Sequence, residues 1–561
     1  MKFHLPKKLM VAVLAAMACI PNYATTVVPG IVDTYTEDTT LTELPGYMTG
    51  TAEIATPITY TKGYVKDGSG TLSISKVTGT AGAGVEVAVP LYVREGKMEI
   101  KDSIIYAKPS QDGRDSYVSV AGNNSELLLD NTVYRQRSTD ATYPELADST
   151  IDNGAYLNIG GPDGSGTLTL KNNSDMRCNY SILAGFHKYA SWFDTVFVMN
   201  STNTTIDPSS ERYANGAYNY VEARDRYFGT ATINVESGSK LISKVSIILA
   251  DATLNIDGAG SLVKSGAYYK NPATHSYVSA ANGGGATILA RQNGCTTNVN
   301  ITNGGKMESL HTVGGYGDST DTTLNILVAG ADENGNASNL HSMGTLQLGS
   351  WPGNATNRNI TMKVLEGGLV SANEILLGDA DSNGGNEVAK VTIDEKSSMK
   401  ATSSCVLGAG STVNNRGSVE ASKISITGGT LSMSGARSSV TSDDITVADG
   451  GTLEAAGGDP ISIDSDSVTV EDGGVISLKD GSTLAVTGAL TMESGSILRL
   501  SANNYAAGDT LLSSGNGDLD VADATVEVSG GQANYIIKDG TIIITAVFDN
   551  SIAEALTVTN W

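Results

Sequence analysis

The sequence predicts an all-β chain folded as a right-handed parallel β-helix, a β-solenoid interrupted by irregular excursions. Three observations carry this expectation. Short strand patterns separated by glycine turns recur every 21 to 23 residues in the C-terminal part. Gly fills 64 of 561 positions, above the ~7% of an average chain. Charged residues make up only 17%, against about 25% in ordinary globular domains.

The chain opens on an export signal over residues 1–24. Lys2, Lys7 and Lys8 precede the apolar run from Leu9 to Ile20, which is too short to span a bilayer and has the layout of a secretory signal. Ala16 and Ala18 place small residues for cleavage before Cys19. A cut after Ala24 is the rival. In the first case Cys19 becomes an N-terminal cysteine open to lipidation, although Ala16 stands where Leu is usual. No later apolar stretch approaches the ~18 residues of a membrane-spanning helix.

Residues 25–59 read as an N-terminal segment or cap, and residues 60–545 as the solenoid. Near the C-terminus "ISITGGTLSM" from Ile424, "ITVADGGTLEA" from Ile445, "VTVEDGGVISL" from Val468 and "LTMESGSILRL" from Leu490 align. Each is a strand of period two, a glycine turn and a second short strand. "INVESGSKLIS" from Ile233 and "LNIDGAGSLVK" from Leu254 read as the same unit, as do "NITNGGKMES" near 300 and "MKVLEGGLVS" from Met362. Strand-and-turn repeats of this length are the mark of a solenoid. Rungs stack ~4.8 Å apart, so roughly twenty would extend on the order of 100 Å.

A second recurring unit ends a strand in Gly before a polar loop. Gly314, Gly349, Gly378 and Gly408 begin four such loops. One of them, "GDADSNGG", carries Asp379, Asp381 and Asn383 before Gly384, the opening half of an EF-hand calcium loop. Calcium also needs a bidentate carboxylate at loop position twelve, and that position is Lys390. Asp, Asn and Gly are what a tight turn selects, because Asx side chains bond their own backbone. The turn reading is favoured over the metal site.

The net charge of −24 argues against nucleic acid, whose phosphates require clustered Lys and Arg, and against anionic lipid surfaces. Cys178, Cys295 and Cys405 are far apart and odd in number, so they are expected as buried apolar side chains rather than a disulfide framework or zinc site. His4, His187, His275, His311 and His341 are scattered, and Asp443–Asp444 is the one adjacent Asp pair. No catalytic, cofactor-binding or metal residue is assigned, and no cofactor. Residues 178–230 depart from the repeat, with four of six Phe, six of 23 Tyr, and Trp192. They are expected to pack against the solenoid, with a sugar- or protein-binding face as the alternative. Residues 266–279 form a smaller excursion.

The signal, the G-x-L-x-I strands and the DGG and SGS turns together resemble the passenger domains of bacterial autotransporters built from β-strand repeats. That resemblance implies a diderm bacterium, export across the inner membrane and display at the outer-membrane surface or outside the cell. Partners would then be host or matrix glycans or proteins, together with an outer-membrane anchor or barrel. The family carries no shared catalytic residues to transfer. A barrel is not found before Trp561, so residues 546–561 are expected to be a tail leading toward a missing partner. The expected function is structural or adhesive and non-catalytic. The alternative is a secreted polysaccharide-active β-helix enzyme, a lyase or a glycoside hydrolase.

Overall fold

A computed structural model describes residues 32–41, 63–77, 91–107, 118–136, 157–160, 164–178, 181–185, 229–243, 246–266, 286–315, 321–349, 357–378, 387–501, 504–515, 518–521, 523–529, 532–538 and 540–548. These residues are all-β, and nearly every strand pairs in parallel, as expected of a β-solenoid. Among them no helix is long and apolar enough to cross a membrane. The chain divides into two compact units, residues 1–168 with 178–231, and residues 169–177 with 232–561.

In the first unit one parallel ladder runs through Val32–Tyr35, Gly63–Lys66, the starts of Leu91–Lys101 and Val118–Asp130, Leu157–Ile159 and Ile182–Ala184. A second runs through Thr39–Leu41, Thr71–Ser75 and the later halves of the same two long strands. Ile104–Ala107 and Val133–Gln136 form a third. Parallel pairing therefore begins upstream of residue 60, where the sequence places the first rung.

The second unit also has three ladders, here called sheets A, B and C. Each rung lays one strand in sheet A, turns through a corner into sheet B, turns again into sheet C, and bends back to sheet A. Sheet A includes His311–Gly314, the end of Leu369–Leu377, Lys423–Ile426 and Ala489–Met492. Sheet B includes Ala252–Asp257, Thr323–Ala329, Arg358–Leu365, Ser411–Asn415, Thr452–Ala456 and Thr525–Ser529. Sheet C includes Leu262–Lys264, Lys306–Ser309, Ser418–Glu420 and Thr510–Ser514. The C-to-A bend is often made within one strand, as in Asn339–Leu348, which pairs in sheet C by its first half and in sheet A by its second.

Alternation of period two explains why these segments form sheets and where the core lies. In Thr452–Ala456 the odd side chains point inward, so Leu453 and Ala455 are buried while their neighbours are half-exposed. Parallel register then stacks like on like. Val413, Leu431, Leu453, Ile476 and Leu498 form one inward column across five rungs, each at most 1% exposed. Each such aliphatic side chain contributes about 1.5–3 kcal/mol by burial.

The B-to-C corner is fastened by buried serines. Ser239, Ser261, Ser338 and Ser482 are all 0% exposed. Their hydroxyls accept from N–H groups of the neighbouring rung's turn: Ser174 to Ser239 (3.1 Å), Gly238 to Ser261 (3.1 Å), Gly304 to Ser338 (3.0 Å) and Gly458 to Ser482 (3.0 Å). Ser261 and Ser338 donate in turn to carbonyls of Asp257 (2.6 Å) and Ala329 (2.7 Å). A buried hydroxyl satisfied in both roles ties one rung to the next at little desolvation cost.

Two sequence expectations change here. The repeats of residues 233–243, 254–264, around 300 and 362–371 cross the B-to-C corner, whereas the four units from Ile424, Ile445, Val468 and Leu490 cross the A-to-B corner. They are two classes of turn with similar chemistry, not one unit. The final strands are not parallel rungs either. Thr541–Phe548 pairs antiparallel with Thr510–Ser514 and with Gln532–Lys538, so the chain ends its described course in a hairpin.

Candidate functional site

Three inserted sequence segments begin at one corner of the second unit. The glycines at the ends of successive sheet-A strands stack there. The N–H of Gly349 donates to Gly314 O (3.1 Å), that of Gly378 to Leu348 O (2.9 Å), and that of Gly408 to Leu377 O (2.8 Å). Gly378 has φ of 74°, a left-handed conformation that glycine adopts without strain. The segments 316–320, 350–356 and 379–386 leave from this corner on three successive rungs. They lie outside the described residues, and with them Asp379, Asp381 and Asn383. At the root of the first, Arg358 is 1% exposed and lies beneath Gly315, where an added Cβ would come within 2.9 Å of the arginine Cδ.

The C-to-A bend carries the densest polar chemistry among the described residues. One outward column in sheet C runs Lys264, Glu308, His341, Ser371, Lys400, Glu420. Its members pair along the column: Lys264 Nζ with Glu308 Oε2 at 2.9 Å, His341 Nδ1 with Ser371 Oγ at 2.9 Å, and Lys400 Nζ with Glu420 Oε1 at 2.6 Å. A neighbouring column in sheet A places Thr345, Glu374 and Ser404 in register. The Thr345 and Ser404 hydroxyls donate to the Glu374 carboxylate at 3.4 and 3.2 Å.

His341 and Ser371 place an imidazole nitrogen and a hydroxyl within hydrogen-bond distance. The Ser371 hydroxyl also lies 3.3 Å from Asn339 Oδ1, a second acceptor to which it can donate. A Ser371 proton directed at Asn339 makes His341 Nδ1 the donor to Ser371 Oγ, and a serine nucleophile needs the opposite arrangement; which of the two holds follows the imidazole tautomer. His311 is committed. The N–H of Thr345 donates to its Nδ1 at 3.1 Å, and burial holds its pKa below the usual imidazole value. Gly344 makes room for the ring, since a Cβ there would lie 2.5 Å from His311 Cε1.

Asp443 and Asp444 sit exposed on the same bend farther along, where Asp444 accepts from Ser467 Oγ at 2.6 Å. Among the described residues no group of three His, Cys, Asp or Glu side chains converges to hold a metal ion. Cys178, Cys295 and Cys405 are buried, as expected. Burial pushes the Cys405 thiol up to about 12 and the Cys295 thiol to about 11. In the first unit Lys66 is buried, its Nζ donating to the carbonyls of Asp67 (3.0 Å) and Gly68 (2.5 Å). His4, His187, His275, Cys19 and the aromatic residues 186–228 lie outside the described residues. Sequence spacing could not bring out the His341–Ser371 or Glu374 groupings, which join residues about thirty positions apart through rung register alone. No family model matches the chain, and no curated protein matches it.

Proposed function

We propose that this chain is an exported structural or adhesive protein displayed at the surface of a diderm bacterium, with no catalytic activity of its own. One observation carries the reading: three successive rungs meet at a single glycine-stacked corner, and at each the sequence inserts five to eight further residues. On the rungs that precede this corner, outward side chains are engaged in holding one rung to the next. In sheet B, Asn255 Nδ2 donates to Asn234 Oδ1 and Asn300 Nδ2 to Asn255 Oδ1, both at 2.8 Å. A scaffold of that kind fixes loop spacing while the loops themselves meet a partner, the usual division of labour between framework and binding loops. Export rests on the N-terminal Lys2, Lys7, Lys8 and Leu9–Ile20 pattern, and surface display on the resemblance to autotransporter passengers.

A glycan and matrix-protein panel tests the reading, scored for retention of the chain and for release of reducing ends. Retention without product is the expected result. Product release would overturn the non-catalytic reading in favour of a polysaccharide-active enzyme. Whole-cell labelling in a diderm host should find the chain accessible to antibody outside the outer membrane, and a cytoplasmic location would overturn export.

A further inference from the structure

Among the described residues, the C-terminal end of the second unit exposes apolar side chains beside a strand edge that no other described strand pairs with. Three inward columns run out there. Leu498 and Leu500 are buried, while their register partners Val526 and Val528 are only half-buried. Leu490 is buried and its partner Leu519 is half-buried. In sheet C the Thr541–Phe548 strand covers the last rung, and its Ile542 and Ile544 are 1% exposed. The Gln532–Lys538 strand lies beyond it and overhangs. Ile537 stands opposite buried Ile542, yet is 42% exposed, and Ile536 is 45% exposed. These two neighbours are half of the four exposed large hydrophobics among the described residues. Gln532–Lys538 takes Thr541–Phe548 as its ladder partner, and no described strand pairs with its other edge.

We propose that this edge pairs with the same edge of a second copy of the chain, across a two-fold axis at Tyr535. Antiparallel pairing centred there uses all seven residues of the strand and joins the two hairpins into one four-stranded sheet. The strand has one charged side chain, Lys538. The two-fold pairing sets each Lys538 against the partner's Gln532 and holds the two lysines ~20 Å apart. Parallel in-register pairing would instead set lysine on lysine, which is unfavourable. Ile537 falls opposite the partner's Ala533 and diagonal to the partner's Tyr535, so both copies of Tyr535 and Ile537 close into one apolar cluster on the core-facing side. The devices that keep edges from pairing are charges, prolines and bulges. Here the register irregularity inserts its extra residue, Thr545, in the inner strand and leaves the edge strand regular.

Sedimentation velocity of the full chain across the micromolar range tests the proposal. We expect a concentration-dependent dimer that becomes a monomer when Ile536→Lys and Ile537→Lys are combined, with melting unchanged at dilutions where the wild type is itself a monomer, because both side chains are exposed. The register is read by cross-linking. Tyr535→Cys should form an intermolecular disulfide under mild oxidation, since directly opposed Cα atoms lie ~4.5–5.5 Å apart, whereas Lys538→Cys should not. A wild-type monomer throughout would overturn the proposal. So would a chain cut after Phe548 that dimerises where the full chain does not, because residues 549–561 would then be the occupant of the edge. Cross-linking at Lys538→Cys but not at Tyr535→Cys would overturn the two-fold register.

Discussion

Residues 423–501 and residues 311–393 of the second unit share the same three sheets and differ at one corner. In the first stretch the A-to-B corner is closed by three or four residues, such as Thr427–Gly429 and Glu471–Gly474. In the second stretch the same corner carries the segments after Gly315, Gly349 and Gly378. The inward columns and the serine fastening are common to both. Ser338 follows a longer turn in which Asp332 accepts from the N–H groups of Asn334 and Asn336 at 2.9 and 2.8 Å, and it still fastens to Gly304. Rung length is therefore free to vary where the backbone faces solvent and fixed where side chains stack inward.

The largest expected effect breaks a closed corner. At Gly474 an added Cβ would lie 2.2 Å from Val447 O of the preceding rung, a backbone atom that cannot give way. Gly474→Ala should cost about 3 kcal/mol or more, at the upper end of overpacking penalties. At the loop-bearing corner Gly315→Ala meets the long Arg358 side chain and a φ of +74°, for about 1–2 kcal/mol. Denaturant melts followed by circular dichroism would rank the two. Equal losses would mean that rung spacing is not what constrains the tight corner.

The next effect compares the serine fastening in the two stretches. Ser338→Ala strands the buried N–H of Gly304, at about 1–3 kcal/mol, whereas Ser482→Ala frees the N–H of the exposed Gly458, which water can satisfy, and should cost less. Similar losses from denaturant melts would show that the Gly458 N–H is as shielded from water as that of Gly304. A loss confined to Ser338 would show that the loop-bearing rungs depend on it more.

The parallel stack, the two-residue alternation and the glycine column at Gly314, Gly349, Gly378 and Gly408 were legible in the sequence, because each follows from periodicity. The distinction between the two corners was not. Both need a left-handed residue followed by a small inward one, so "ESGSK" and "ESGSI" look alike until the intervening sheet-C strand is counted. The terminal hairpin was missed for a related reason. "KDGT" at 538–541 is a strong hairpin signal, Asp-Gly between two hydrophobic strands, but Asp-Gly also marks the rung corners at Asp449–Gly450 and Asp472–Gly473. Strand length was the available discriminator, since seven and eight residues flank this turn. The polar columns through His341 and Glu374 depend on rung lengths that vary, and no fixed spacing encodes them.

A pH titration should separate the stretches further. Burial lowers the His311 pKa in the folded chain from 6.5, so the unfolded chain binds the proton more readily. The stability this supplies is fully present above pH 6.5 and is lost as pH falls through the folded value. Protonation also removes the acceptor that the Thr345 N–H uses. The titratable neighbours across the bend are Glu374, in register with Thr345, and Glu308 and His341 on sheet C. Asp394 acts in a lower window. Burial alone would raise its pKa, but the Glu366 N–H, the Ser397 hydroxyl and the Lys396 N–H hold it below 3.8. Its contribution is present above that value and lost on further acidification. Hydrogen exchange should therefore show residues 311–345 opening first on mild acidification, with 423–501 unaffected. His311→Asn should remove that early phase, and its persistence would assign the phase to another group.

The smallest expected effect tests the comparison at its root. Leu377 and Ala389 are in register with Leu407 and Ser411. The loop-bearing rung thus uses residues 378–388 to cross a corner that the next rung crosses with Gly408, Ala409 and Gly410. Deleting 379–386 swaps this crossing for one of the same three-residue length, removes Asp379, Asp381 and Asn383, and leaves Glu387 and Val388 in register with Arg358 and Asn359. Loop closure is easier for the shorter segment, by about 1 kcal/mol at most. If the segment is a polar turn, the swapped chain should melt within that margin of the original, with or without millimolar calcium. A calcium site would behave differently, because ligand that binds only the folded chain stabilises it in proportion to ln(1 + [L]/Kd). Calcium-dependent stabilisation of the original that vanishes in the swapped chain would make residues 379–386 a metal site after all. It would also mean that the three loops of this corner are not interchangeable displays on a common scaffold.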